Sequence, residues 1–291
     1  MNREQPKRSQ HLFVVQRTDW LSTHLLRVTL GGDAFDGFVT GPNIDRLNAT
    51  DSYVKLMFAR PDLGLVPPYD LAELRERLSL ADLPVTRTYT VSGIDAVTRQ
   101  ITIDFVVHGD NGIAGPWAAA ARPGDILVMS DPGGSYLPDP DPTVLHLLLG
   151  DDSAIPAIAA ALAALPADAT GHALIEVPGP GDEVPLELPS GVELRWLHRS
   201  AAAAEAGGNP TGTEPGSLLV AAVRALPPAA GPVDVFAHGE RSAMKAIGAV
   251  LKDAWGLDRR TLSLSAYWAL GRAEDRFQAE KREPVGQLFA D

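Results

Sequence analysis

The chain has 291 residues, with 25 Lys+Arg against 37 Asp+Glu and a formal net charge of −12. That acidity argues against a phosphate-backbone binder, which needs clustered Lys and Arg to displace counterions. Hydrophobic residues make up 45% and Cys is absent, so the chain can fill a core but has no disulfide, thiolate metal site, Cys-ligated cluster or Cys nucleophile. No apolar run approaches the roughly 20 residues that span a bilayer. The first ten residues are polar, with no apolar leader region. A soluble, cytoplasmic protein with no stable membrane insertion and no nucleic-acid partner is expected.

In chain order, residues 11–16, 23–30 and 53–58 are rich in β-branched and aromatic side chains between Gly, Asp and Pro turns, and are predicted strands. A helix is predicted over 70–78, then strands over 86–92 and 101–108. A short helix over 117–121 and a strand over 126–130 follow. Six strands with few helices suggest a small antiparallel barrel. The segment 132–142 holds four prolines and two glycines and reads as a linker, placing the domains at 1–136 and 137–291. Beyond it, strands are predicted at 144–149, 173–177, 193–198, 233–237 and 261–266. Helices are predicted at 217–225 and 242–255, and a further Ala-rich helix opens after Gly150 and ends near Leu165. The segment 201–215, rich in Ala and Gly, reads as a mobile loop. Alternating strands and helices imply a parallel sheet covered on both faces.

Two stretches offer chemistry. On a strand, Arg87 and Tyr89 share one face, and Thr88 and Thr90 the other. An Arg fork can clamp a diphosphate, and a Tyr ring can lie along a planar cofactor; the same residues also suit an exposed Arg beside a core Tyr. The small-residue turns at 108–117 and 150–156 each lead into a helix start, where backbone N–H groups favour an anion. Asp151 and Asp152 crowd the second turn and would repel a phosphate, and it also reads as an ordinary capped helix. The seven His residues form no close ligand pair, so no protein metal site is expected.

The runs RTYTVS, DFVVHGDNGIAGPWAAAARPGD, LLLGDDSAIPAIAAALAALP and VFAHGERSAMKAIGAVLKDAWGLDRRTLSLSAYW occur in the order of the siderophore-interacting protein family, which the chain resembles from about His11 to Gly271. These are FAD-dependent ferric-siderophore reductases of the ferredoxin–NADP reductase superfamily. The resemblance implies an N-terminal antiparallel β-barrel of ferredoxin-reductase type holding FAD, followed by a C-terminal α/β domain with a parallel sheet. Arg87, Thr88, Tyr89 and Thr90 would be the flavin motif. Asp104, Val106 and His108 would lie along the ribityl and diphosphate region, with Ala114, Gly115 and Trp117 over the diphosphate. NADH or NADPH would meet Gly150, Asp152, Ser153, Ala154, Gly239, Glu240, Tyr267 and Trp268. Apart from the resemblance, Arg199 stands at a strand end, where it could meet a 2′-phosphate or be an ordinary surface arginine. Lys55 and Arg272 would offer positive charge to a ferric siderophore.

Several positions depart from the family's usual residues. Ser is usual where Gly115 stands, Glu where Asp152 stands and Gly where Ala266 stands, and basic residues often occupy the places of Ala269 and Leu270. The implied activity is transfer of electrons from NAD(P)H, or from a reduced ferredoxin, through FAD to a ferric chelate. No general acid or base is required of the protein. The other readings are a flavin reductase without siderophore specificity, and a non-catalytic iron-chelate or flavin binder.

Overall fold

The computed structural model describes residues 9–109, 112–201 and 214–289. By contact density it divides into two units: residues 26–135 with the N-terminal segment up to Asp19, and residues 136–291 with the segment 20–25.

In the first unit, six strands close into an antiparallel barrel. They are β1 (His11–Trp20), β2 (Leu25–Gly31), β3 (Tyr53–Phe58), β4 (Val85–Asp95), β5 (Gln100–Val106) and β6 (Ile126–Met129), in the order β1-β2-β5-β4-β3-β6. Alternation does the sorting: in β3, Val54, Leu56 and Phe58 are buried while the residues between them are not. Phe13, Leu30, Leu56, Ile101, Ile103, Phe105 and Met129 fill the interior. Tyr53 stands opposite Thr90, Val54 opposite Tyr89, Lys55 opposite Thr88 and Leu56 opposite Arg87. Opposed residues share a face. Arg87 and Tyr89 therefore lie on the Val54–Leu56 face, and Thr88 and Lys55 on the other. The barrel also holds α1 (Ala34–Val39), which the sequence reading missed; its Phe35 and Phe38 are buried, and Phe38 meets Phe13 edge-on at 5.5 Å. Helix α2 (Leu71–Arg77) starts where Asp70 accepts from the Ala72 and Glu73 N–H groups. Helix α3 (Ala114–Ala120) starts three residues before the expected position.

The second unit has a five-stranded parallel sheet of β7 (Leu145–Asp151), β8 (Thr170–Val177), β9 (Gly191–His198), β10 (Val233–Glu240) and β11 (Leu262–Trp268), in the order β11-β10-β7-β8-β9. Strand β7 is an unbroken buried run, as expected for a strand covered on both faces. Helix α4 (Ile155–Ala164) covers the face bearing Gly150, whose missing Cβ would stand 2.9 Å from Ile158 Cδ1. Helices α5 (Ser217–Ala225) and α6 (Arg241–Asp253) pack on the other face against Leu147, Leu149, Val235 and Ala237. A last helix, α7 (Glu274–Glu280), buries Phe277. The chain builds outward from β7 to β9, then crosses back to β10. The C-terminal ends of β7 and β10 thus form the switch point at which open α/β sheets bind ligands. Most of the segment 201–215 lies outside the described residues. No described helix is long and apolar enough to cross a membrane.

Candidate functional site

In the barrel, Tyr89 stacks at 4.5 Å on Phe105, Phe105 meets Trp117 at 5.8 Å, and Trp117 meets Phe58 at 5.4 Å. This chain of rings ties the inner face of β4 to the first turn of α3. Arg87, on the Tyr89 face and half-buried, donates from Nη1 to the Thr86 carbonyl at 2.8 Å. Thr90 is buried, Thr88 exposed. Gly115 sits so close under β5 that a Cβ would stand 3.1 Å from the Val106 carbonyl oxygen. A serine there would have to push β5 aside, which gives a packing reason for glycine at this position.

Asp104 is engaged within the barrel. Both its oxygens are taken by Arg27, from Nε at 2.7 Å and Nη2 at 2.8 Å. That hydrogen-bonded pair raises the Arg27 pKa, and it leaves Asp104 a strut between β2 and β5. Val106 ends β5, and His108 lies exposed just beyond it. Lys55 lies beside Thr88 and, like it, faces away from the interior.

The residues of the first unit fit a flavin dinucleotide. An aromatic wall and a guanidinium share one strand face. The buried hydroxyls of Ser52 and Ser92, flanking this part of β3 and β4, have no hydrogen-bond partner among the described residues. Buried polar groups are nearly always satisfied, and the polar edge of a ligand would satisfy these.

In the second unit Asp151 caps the short turn before α4, accepting from the Ser153 N–H at 3.0 Å, while α4 itself has no side-chain cap. Carboxylates do cap the other two helices that start at this edge. Glu176 accepts from the Gly216 and Leu219 N–H groups at α5, at 2.7 and 3.0 Å. Glu240 accepts from the Ser242 and Ala243 N–H groups at α6, at 2.5 and 3.0 Å. At α5 and α6 carboxylates of the chain thus occupy donors a diphosphate would use. Gly150 is required by packing: a Cβ would lie 2.6 Å from Ala154 Cβ and 2.9 Å from the His238 carbonyl oxygen.

Burial, then the neighbouring Asp152, pushes Asp151 up to about 7. Burial pushes Asp152 up to about 6, with Arg199 pulling the other way. Arg199 itself is held by Glu176 at 3.3 Å and Asp152 at 3.7 Å; to meet a 2′-phosphate it would have to leave both. Tyr267 meets the His238 ring edge-on at 4.9 Å, and Trp268 donates from Nε1 to Asp151 at 2.8 Å. Arg272 is drawn to Glu280 at 3.0 Å, together with Arg241 at 2.6 Å and Arg276 at 2.8 Å. The three arginines, Arg241 foremost, hold Glu280 down to about 2. Arg272 is therefore an internal tie as well as a surface charge. Sequence reading passed over Arg27, Glu176 and Glu280; a lone acid ending the apolar strand β8 was the available signal for Glu176.

Comparison with known proteins agrees with these two units. The profile described as the siderophore-interacting FAD-binding domain matches residues 14–136, and that described as siderophore-interacting protein matches residues 144–271. An uncharacterised protein of Mycobacterium tuberculosis is 43% identical over 281 residues, covering 95% of this chain and 96% of that one. Ferric vibriobactin reductase ViuB of Vibrio cholerae is 30% identical over 277 residues, covering 94% of each. The crystal structure of a siderophore utilization protein from T. fusca superposes with a TM-score of 0.73 at 34% identity, covering 91% of this chain and 94% of that one.

Proposed function

The chain belongs to the siderophore-interacting protein family, and from that footing we propose that it is a ferric-siderophore reductase acting in the cytoplasm. It is an FAD-dependent oxidoreductase that draws on NAD(P)H, and the reaction releases Fe²⁺ from an iron(III) chelate. The observation that carries the reading is the Arg87–Tyr89 face of β4, walled by Phe105 and Trp117 within the unit matched by the FAD-binding domain profile. FAD held there by Arg87 and Tyr89 would supply the chemistry that matches a two-electron nicotinamide to a one-electron iron acceptor.

The protein's own part is to bind and orient. Arg87 neutralises the flavin diphosphate with its planar fork. The Tyr89 ring lies along the isoalloxazine, and Thr90 contributes a hydroxyl. Lys55, on the face away from the barrel interior, attracts an anionic chelate. Gly150, Asp152, Ser153, Ala154, Gly239, Glu240, Tyr267 and Trp268 border the reductant.

A second reading, a flavin reductase without siderophore specificity, is favoured by the engagement of Arg272 with Glu280. Trapping Fe²⁺ with a chromogenic ligand decides between them. With FAD and NADPH, NADH or reduced ferredoxin as donor, ferric siderophores are expected to yield Fe²⁺ well above the rate with free flavin or quinone as acceptor. Turnover with free flavin or quinone but not with ferric chelates would establish the second reading. A protein that binds chelate yet never takes up FAD would be a carrier.

A further inference from the structure

Asp151, the last residue of β7, is buried and joins three other parts of the second unit. Its Oδ1 accepts from the Ser153 N–H at 3.0 Å and the Ser153 hydroxyl at 2.5 Å. Its Oδ2 accepts from the Glu240 N–H and from Trp268 Nε1, each at 2.8 Å. A carboxylate offers about four lone-pair sites, and these donors use them.

Two backbone features create the arrangement. Strands β10 and β11 shift register after Gly239, so Glu240 stands opposite Trp268 and Tyr267 is passed over. Such a bulge re-aims a side chain. At Gly239, a Cβ would lie 2.6 Å from Asp151 Oδ2, so the carboxylate reaches the crest of β10 because residue 239 is glycine. The two aromatic neighbours are consequently supported in different ways. Tyr267 rests against the His238 ring, while the polar edge of Trp268 is fixed by Asp151. Capping the turn needs only the oxygen facing Ser153. The second oxygen, in the company of Asp152 and Glu240, is given to the indole and the Glu240 N–H. Truncating this side chain would leave both of those buried donors without their acceptor.

We propose that Asp151 is a positioning residue that holds the Trp268 indole in the orientation in which it borders the nicotinamide of the reductant. The proposal rests on the reading of the chain as an NAD(P)H-dependent flavoenzyme, and it concerns the reductive half of the reaction alone. In Asp151→Ala, the KM for NAD(P)H in flavin reduction is expected to rise about 10- to 100-fold, the range of a lost hydrogen bond to a charged group. Reoxidation by a ferric chelate should change less than about twofold. Trp268→Phe, which keeps a ring and loses the N–H, should give the same split. The double variant should be no worse than the more affected single, because both remove one interaction. Trp268→Phe leaves the Ser153 cap on Asp151 intact, so the same split in that variant separates positioning from a failure to fold.

An independent readout is the indole N–H resonance of Trp268, identified by its loss in Trp268→Phe. In the full chain its hydrogen exchange should be about tenfold faster or more in Asp151→Ala than in the wild type. Unchanged exchange, effects that multiply in the double variant, or equal falls in both half-reactions would overturn the proposal. If NAD(P)H does not reduce the wild-type flavoprotein at all, the reductant role falls with the reading beneath it. The exchange experiment then shows whether the hydrogen bond itself stands.

Discussion

His238 supplies a quantitative test of the second unit's core. It lies on β10, 3% exposed, with its ring 3.9 Å from that of Phe236 and 4.9 Å from that of Tyr267. Nε2 meets the Ser263 hydroxyl at 3.0 Å, and Nδ1 is buried with no hydrogen-bond partner among the described residues. Burial, with the positive charge of Lys281 adding to it, lowers the imidazole from 6.5 to about 3. The unfolded chain accepts this proton below its ordinary value, whereas the folded chain refuses it until far more acid conditions. Stability therefore falls as pH falls through that window. Between about pH 7 and about pH 4.5 the cost amounts to roughly 2.5 kcal/mol, at about 1.4 kcal/mol per unit.

Urea denaturation of the wild type and of His238→Gln at the two pH values isolates this contribution, since every other titrating group is common to both chains. The wild type is expected to lose about 2.5 kcal/mol more than the variant on acidification. Parallel losses would refute the reasoning. Asp151 and Asp152 act in the opposite sense. Their raised values mean that the folded chain holds protons the unfolded chain has released, so their contribution is greatest below about pH 4 and is lost as pH rises through about 6 to 7.

Further outcomes follow from the same geometry. Arg87→Ala is expected to weaken FAD binding about 10- to 100-fold, measured by flavin fluorescence titration, as a charge-assisted bond to phosphate is worth about 1.5–3 kcal/mol; unchanged affinity would remove Arg87 from the site. Lys55→Ala should raise the KM for an anionic ferric chelate several-fold, an effect that fades as salt screens the charge; a salt-independent change would argue for packing instead. Gly150→Ala should cost about 1–3 kcal/mol of stability through overpacking against Ala154 and Ile158, read by thermal or urea melting. Because carboxylates fill the starts of α5 and α6 and the turn before α4, reduced nicotinamide mononucleotide should retain kcat/KM within about tenfold of NADH. Had those N–H groups held the diphosphate, losing two charge-assisted bonds would cost about 100-fold or more.

Most strands were legible because their determinants are local. The alternation in residues 53–58 and the buried run of β7 each carry their own period, and both lie where expected. Helices α1 and α7 escaped detection. They are short, and their burial rests on Phe35 and Phe38 in one and Phe277 in the other, anchors too few to set a period. The segment carrying Arg87 and Tyr89 was readable as a strand with both on one face. Contacts within each unit were not, because the partners are distant in sequence: Arg27 lies 77 residues from Asp104, and Glu240 lies 89 from Asp151. The acids at the second turn were visible as an obstacle to phosphate. That Asp151 turns one oxygen to its own helix and the other to Trp268 depends on a register shift after Gly239, which no local pattern reveals.

The most direct test of the account is the absorbance of the purified chain after loading with FAD, followed without oxygen. Bound flavin bands that bleach on addition of NADPH or NADH and return on addition of a ferric siderophore, with Fe²⁺ appearing in step, are the expected result. A chain that takes up no FAD, or whose flavin stays reduced in the presence of ferric chelates, would contradict it.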